Sequence, residues 1–406
     1  MFIELHILQN FGPSNLNRND VNAPKDCTFG GFRRARISSQ CLKRAIRKHE
    51  AFKNTILSAN GNLGERTKRL VGRLVKLLEQ HGHDSQAAEK VAKMIIAGAG
   101  LGFDKNNGEK TQYLLYLGQA EIEKLAEIAH QHWDDLINLE SPPVPVTETE
   151  EQPDKKKTKK SNKVDKKAGK EALSKEVQTQ INHVFSKSAN LAADIALFGR
   201  MVADVKNMNI DAACQVAHAI STNEMAMEMD FFTAVDDLLS TSESGSDMLG
   251  IVEFNSACYY RYAQINLDTL RTNLAADQEI MVAAILGFLA AAVQAIPTGM
   301  QNSMAALNPP SYIRVLIRST GSPWSLSNAF ITPVRPKRNN EESNLIALSV
   351  AQLENYLTRL QTLYGKEGFE LDNVCTDLAN HSSAITFPNL LKTVKDFLQQ
   401  SNAGSN

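Results

Sequence analysis

Between Ser141 and about Lys175 the chain changes character: prolines come first, then acids, then a run of lysines, with almost nothing apolar to bury. A segment that removes so little apolar surface from water cannot repay the entropy of ordering, so it reads as a mobile linker or insertion. This divides the fold. The core must be assembled from stretches on either side, and 406 residues with 43% apolar content supply material for two or three domains.

Residues 2–8 alternate, with Ile3, Leu5 and Ile7 to one side and Glu4 and His6 to the other, which predicts a strand. Gln9 to about Arg36, dense in Asn, Pro and Gly, reads as a long polar loop, of a length that is usually functional or disordered. A helix follows, with Ser38 or Ser39 as its N-cap. From 50 to 140, helical patterns alternate with glycine breaks, predicting a mainly helical subdomain; Gly98–Gly102 is one such break, mis-spaced for a dinucleotide fingerprint. Strand patterns return at Asp194–Met201, Cys258–Leu267 and Ser311–Ser319, with helices over Leu267–Asn273 and Ala276–Ile296. The mixture predicts an α+β sheet domain interrupted by a helical excursion.

Several classes are excluded. The five cysteines are scattered and form no C-x-x-C, which fits a reducing cytoplasm and neither a disulfide framework nor a zinc ribbon. The longest apolar run, Ile280–Val293, falls short of the ~18 residues of a membrane span, and the amino terminus lacks a signal pattern. A cytoplasmic protein without a membrane partner is expected. The pairs His81/His83 and His130/His132 are poorly spaced for one helix face, so no metal or cofactor is expected.

The net charge of −1 conceals segregation. Residues 1–50 carry nine Lys/Arg against four Asp/Glu, and residues 155–170 carry nine Lys against one Asp, leaving the remainder acidic. A basic face on an acidic protein is the footprint of polyanion binding with restricted geometry. No carboxylate occurs between Asp26 and Glu50. Lys43/Arg47 and Arg44/Lys48 are therefore uncompensated i, i+4 pairs, each costing an isolated helix roughly 0.2–0.5 kcal/mol, and an anion running past the helix reverses that sign. Arg33, Arg34 and Arg36 precede the helix on a chain made pliable by Gly30 and Gly31. Ser38, Ser39 and Gln40 supply hydroxyls and amides for a phosphate seat at its positive end. Leu42, Ala45 and Ile46 form the stripe that packs inward.

The run Phe29–Ala45 (Phe-Gly-Gly-Phe-Arg-Arg-Ala-Arg-Ile-Ser-Ser-Gln-Cys-Leu-Lys-Arg-Ala) resembles the CasC-type backbone subunit of the type I-E CRISPR surveillance complex, Cascade. So do Asn17–Asp20, Ala193–Met201, Ala213–Ala219, Phe232–Asp237, Tyr260–Leu267 and Gly299–Asn308, in the expected order; the chain after about Asn328 matches poorly. The resemblance implies a modified RNA-recognition-motif-like (ferredoxin-like) palm over 1–50, 186–209 and 243–406. It implies helical fingers over 51–185, carrying the lysine-rich insertion at 141–175, and a thumb hairpin over 210–242. Copies would stack head to tail, usually six, along the spacer of the crRNA. Each thumb would displace every sixth base, so that target DNA pairs in five-base segments. CasA, CasB, CasD and CasE types would be the other partners, and no catalysis is implied.

Carried onto this chain, Arg18, Lys25, Ser38, Gln40, Lys43, Arg44 and Arg47 are implied to grip RNA phosphates. Ala219, Ile220, Ser221 and Thr222 are implied as the thumb wedge, in a locally acidic region. The loop holding Gln301, Asn302 and Ser303 is implied to approach the RNA backbone. Asp236–Asp237 raises the alternative of a metal-dependent endoribonuclease on the same fold. The run Lys155–Lys170 reads as a solvated linker, or as an arm whose deletion weakens DNA capture.

Overall fold

A computed structural model describes residues 1–139, 173–185, 191–203, 205–234, 248–337, 344–379 and 381–403. The run Lys155–Lys170 and the pair Asp236–Asp237 lie outside these. In chain order the strands are β1 (Phe2–Ser14), β2 (Asp26–Phe29), β3 (Phe32–Ile37), β4 (Gly64–Thr67), β5 (Phe103–Asp104), β6 (Asn107–Thr111) and β7 (Leu115–Gly118), followed by β8 (Cys214–Val216), β9 (Ala219–Ser221), β10 (Glu228–Ala234), β11 (Met248–Asn266), β12 (Tyr312–Arg318) and β13 (Phe369–Thr376). The chain is a mixed α/β fold of two compact units. Met1–Thr55, Cys214–Leu267 and Ile285–Asn406 form one; Ile56–Ala213 and Asp268–Ala284 form the other.

The first unit is built on a nine-stranded sheet with the order β13-β12-β1-β11-β9-β3-β2, to which β8 and β10 add against β11. β1 is central and antiparallel to both neighbours, with Phe2 opposite Asn266 on one side and Arg318 on the other. Its alternation has the expected period, but both faces are covered. Leu5 and Ile7 pack with Leu42 and Ile46 of the helix Ser39–Lys48 and with Phe288 and Ala292, leaving a gap of only about 10 Å³. On the other face Leu8, Tyr260, Tyr312 and Leu316 meet Leu326, Phe330 and the helix Leu345–Tyr364. Glu4 and His6 lie on this second face and are fully buried. They are kept there by partners: His6 Nδ1 is 2.9 Å from the Tyr260 hydroxyl, and the Tyr262 hydroxyl and Trp324 N–H donate to Glu4 Oε2. Burial pushes the Glu4 carboxyl above its ordinary pKa and the His6 imidazole down to about 3.

The loop expected from Gln9 to Arg36 is largely strand. β1 runs on to Ser14, past a register shift after Phe11, and β2 and β3 form a hairpin. Gly30 and Gly31 have φ of 62° and 84°, both left-handed, the signature of a two-residue turn matched to strand twist. The two glycines therefore tighten the chain. A Cβ on Gly30 would stand 2.2 Å from the Ile331 carbonyl oxygen.

The second unit is mainly helical, with the short ribbons β4–β7 and β5–β6. Leu74, Leu78, Val91, Ile95, Leu125 and Ile181 are among its core residues. The segment Asp194–Met201, read from sequence as a strand, is the short helix Ala193–Phe198, stopped by Gly199 at φ 76°. Arg200 follows, buried and bidentate to Glu121 at 2.7 and 3.0 Å, and it also donates to the Met208 carbonyl. Residues 191–203 and 205–213 thus belong with the helical unit and not with the sheet, because their partners lie there. His83 and His130 are 2.8 Å apart and His81 stacks on His130; among the described residues no His/Cys/Asp/Glu trio is arranged to hold a metal ion.

Candidate nucleic-acid groove

The helix Ser39–Lys48 begins where Ser38, extended at φ −68° and ψ 147°, accepts the Cys41 N–H on its Oγ at 3.3 Å. Leu42 and Ile46 turn inward, Arg44 and Lys48 are exposed, and Arg47 is buried. Arg47 and Lys48 in the last turn complement the negative end of the helix dipole. The other wall is the segment Asn15–Ala23, an asparagine-built turn. Asn19 Oδ1 accepts the N–H groups of Val21 and Ala23, and Asn15 Nδ2 donates to the carbonyls of Asn22 and Glu253. Asn22 sits at φ 66°, a conformation asparagine tolerates.

Helix, asparagine turn and the segment Ala295–Gly299 enclose a pocket of about 520 Å³. Its charged lining is Arg18, Arg44 and Lys48, with His49 beside them and no carboxylate. Gly299 is required here: a Cβ would stand 2.5 Å from the Leu16 carbonyl oxygen. Arg18 and Asn22 are shared with a second pocket of about 500 Å³, whose wall is the β10–β11 hairpin. This second pocket is more apolar than the first: Val21, Met229, Phe232, Ile251 and Met300 line it, with Glu253 as its one carboxylate. Met229, Phe231, Phe232 and Ile251 are 69, 62, 40 and 67% exposed. One groove therefore has a cationic half and an apolar half, joined at Arg18.

The residues singled out from sequence separate into groups. Arg18, Arg44 and the helix that bears Lys43 bound the cationic half. Lys25 and Arg36 gather at the helix start, where their charges reach His218. Arg36 Nη1 is 3.5 Å from His218 Nδ1, and that nitrogen accepts the Ser39 N–H at 3.1 Å. The Ser38 N–H is likewise taken, by Asn17 Oδ1 at 2.8 Å. The amides expected to stand open for phosphate at Ser38 and Ser39 are thus already bonded. Arg33 is paired with Asp26. Gln301 braces its own loop by donating to the carbonyls of Pro297 and Ala306, and Ser303 donates to Met300, while Asn302 is exposed. It is Ala295–Met300, just before them, that lines the groove.

Besides these amides, and Arg47, which is buried on the helix, two further expectations are corrected. Arg34 is fully buried; its guanidinium donates to the carbonyls of Ser221 and Thr222 at 2.9 and 2.7 Å and of Phe330 and Ile331 at 2.6 and 3.2 Å. It is a structural clamp, unavailable to a phosphate. Ala219, Ile220 and Ser221 form β9, paired with β11 and β3 inside the sheet, and Thr222 is buried against Ser349. A buried strand cannot act as a wedge. The exposed element is β10, paired antiparallel with β11 further along the chain. Lys48, read from sequence only as half of an uncompensated pair with Arg44, lines the groove, whereas His218, whose only signal is a lone histidine among small residues, is missed.

The chain matches the family model for CT1975-like proteins over residues 3–398, well beyond the point where the motifs fade. No curated protein matches it by sequence. A solved chain described as "CRISPR RNA-guided surveillance complex, pre-nicking" superposes with a TM-score of 0.76 at 27% identity, covering 98% of this chain and 100% of that one. A chain of another "CRISPR RNA-guided surveillance complex" superposes at 0.67 and 22% identity, covering 98% and 99%, a likeness of fold. With a family model spanning nearly its whole length and a full-length structural counterpart, the chain belongs to the CT1975-like family, whose CasC-like backbone subunits its motifs resemble.

Proposed function

We propose that this protein is the RNA-holding backbone subunit of a type I-E CRISPR surveillance complex. The observation that carries this is the two-part groove. A carboxylate-free cationic wall suits a phosphate backbone, and an adjoining apolar wall with Phe232 and Met229 suits a base turned out of its stack. Phosphates position and do not specify, so one groove serves any guide sequence. On this reading the sheet unit is the modified RNA-recognition-like palm, the helical unit the fingers, and the β10–β11 hairpin the thumb. Copies line up along crRNA, the thumb of each sets one base aside, and the bases between thumbs pair with target DNA. The subunit binds and does not cleave.

Native mass spectrometry of the full chain with single-stranded RNAs of graded length tests this. The expected result is a ladder that gains one subunit for each added thumb-to-thumb interval of six nucleotides. One copy whatever the length, or shortened RNA products in Mg²⁺, would overturn it, the second outcome in favour of a nuclease.

A further inference from the structure

At the start of the basic helix three basic side chains from three segments converge. Lys25 precedes β2, Arg36 lies on β3, and His218 follows β8. Arg36 Nη1 lies 3.5 Å from His218 Nδ1, and the charges of both Arg36 and Lys25 act on the imidazole. Among the described residues the charges acting on this ring are those of Arg36 and Lys25; Asp26, next to Lys25 in the chain, is engaged by Arg33, and Glu224, six positions beyond the histidine, by Arg335. Lys25 makes no ion pair among the described residues. The cluster adjoins the cationic pocket through Asn17 and Cys41, which line that pocket. Asn17 bonds Ser38 and accepts the Lys25 N–H, while Lys25 and Arg44 both act on Cys41.

His218 spends its Nδ1 lone pair on the Ser39 N–H. That bond exists only while Nδ1 is unprotonated. Partial desolvation, then Arg36 and Lys25, pull the imidazole pKa below its ordinary value, which keeps the ring neutral in the free chain. A phosphate drawn between Lys25 and Arg36 cancels their repulsion of a proton. The ring then gains a proton from solvent at Nδ1 and turns that N–H toward the phosphate. The Ser39 N–H, released, keeps an acceptor in the same phosphate oxygens.

We infer that His218 is a positioning residue of the RNA groove whose protonation is coupled to phosphate binding. Neutral, it holds the helix start in place of the ligand; charged, it becomes a third cation beside Lys25 and Arg36. The inference rests on the groove's being the RNA site.

Fluorescence polarisation of the full chain with a labelled single-stranded RNA, at matched salt and at about pH 8 and about pH 6, tests the coupling. Wild type should tighten by about threefold to tenfold on acidification, since a one-unit rise in the pKa of a linked group is worth about tenfold. Its log K against log salt should steepen by about 0.7, one more phosphate contact. H218N keeps an acceptor for the Ser39 N–H but cannot charge, and it should lose both changes. H218Q serves if the Asn variant melts early. Titration calorimetry in two buffers of unequal ionisation heat should show proton uptake in wild type alone. RNA binding with no pH dependence, or H218N with the same pH dependence as wild type, would overturn the role of His218 and leave the groove standing. Absence of RNA binding at both pH values would overturn the groove and this inference together.

Discussion

Arg34 and Arg44 are ten positions apart in the same basic run, yet they do opposite work. Arg34 donates to backbone carbonyls from two separate segments inside the protein, whereas Arg44 faces the groove. Arg34→Ala should therefore lower the unfolding free energy by about 3 kcal/mol or more, because several buried carbonyls lose their donor. Arg44→Ala should change it by less than about 0.5 kcal/mol. Urea unfolding reads both. His6 gives a pH signature. Its native pKa of about 3 lies below the ordinary value, so the unfolded chain binds a proton that the folded chain refuses. Its contribution is present above about pH 6.5 and is lost, at about 1.4 kcal/mol per pH unit, as pH falls toward 3. The difference in unfolding free energy between wild type and His6→Gln should follow that slope, which also separates it from Glu4. The raised Glu4 pKa has the opposite sign, lowering stability as pH rises through the carboxylate range.

Among the elements, the basic helix is the one whose sequence and structure agree most fully, because its apolar stripe and its cap are local signals. The β2–β3 turn was mistaken for pliable chain, since glycines announce either a hinge or a left-handed turn, and only the pairing of Phe29 with Phe32 decides. Ala219–Thr222, expected as a wedge, lies buried in the sheet and next to it, and its sequence is silent for a related reason. Ala219–Thr222 carries no charge and few bulky groups, and nothing local says whether such a stretch enters a sheet or leaves it. The paired strands β10 and β11 instead carry apolar side chains in solvent, Met229, Phe231 and Ile251 among them. Phe231→Ala with Phe232→Ala should leave the thermal midpoint almost unchanged, as exposed aromatics contribute little to a core. The same pair should weaken RNA binding by about tenfold or more, at about 1–3 kcal/mol per stacked base. Unchanged affinity in the double variant would remove the hairpin from the site.

For the whole molecule the net charge is near zero, so the RNA binding proposed above would draw on the local cationic wall and not on the total. RNA binding should accordingly fall steeply with salt. Lys43→Ala with Arg44→Ala should flatten the slope of log K against log salt by about 1.4, two contacts at about 0.7 each. The loss should be nearly the same for unrelated RNA sequences. A loss confined to some sequences would mean that bases, not phosphates, are being read.

By itself the sequence determined the strand at residues 2–8, the basic helix with its inward stripe, the helical region from 50 to 140 and the family. These rest on periodicity, caps and motifs, which act within a few turns of chain. Tertiary structure decided which arginine is buried, which histidine holds the helix start, which strand pair is exposed and where the helical unit ends. Each of those depends on contacts between residues tens to hundreds of positions apart: Arg34 with Phe330, Ser39 with His218, Asn15 with Glu253. Burial and hydrogen-bond partnership are properties of the assembled core, and no window of local sequence contains them.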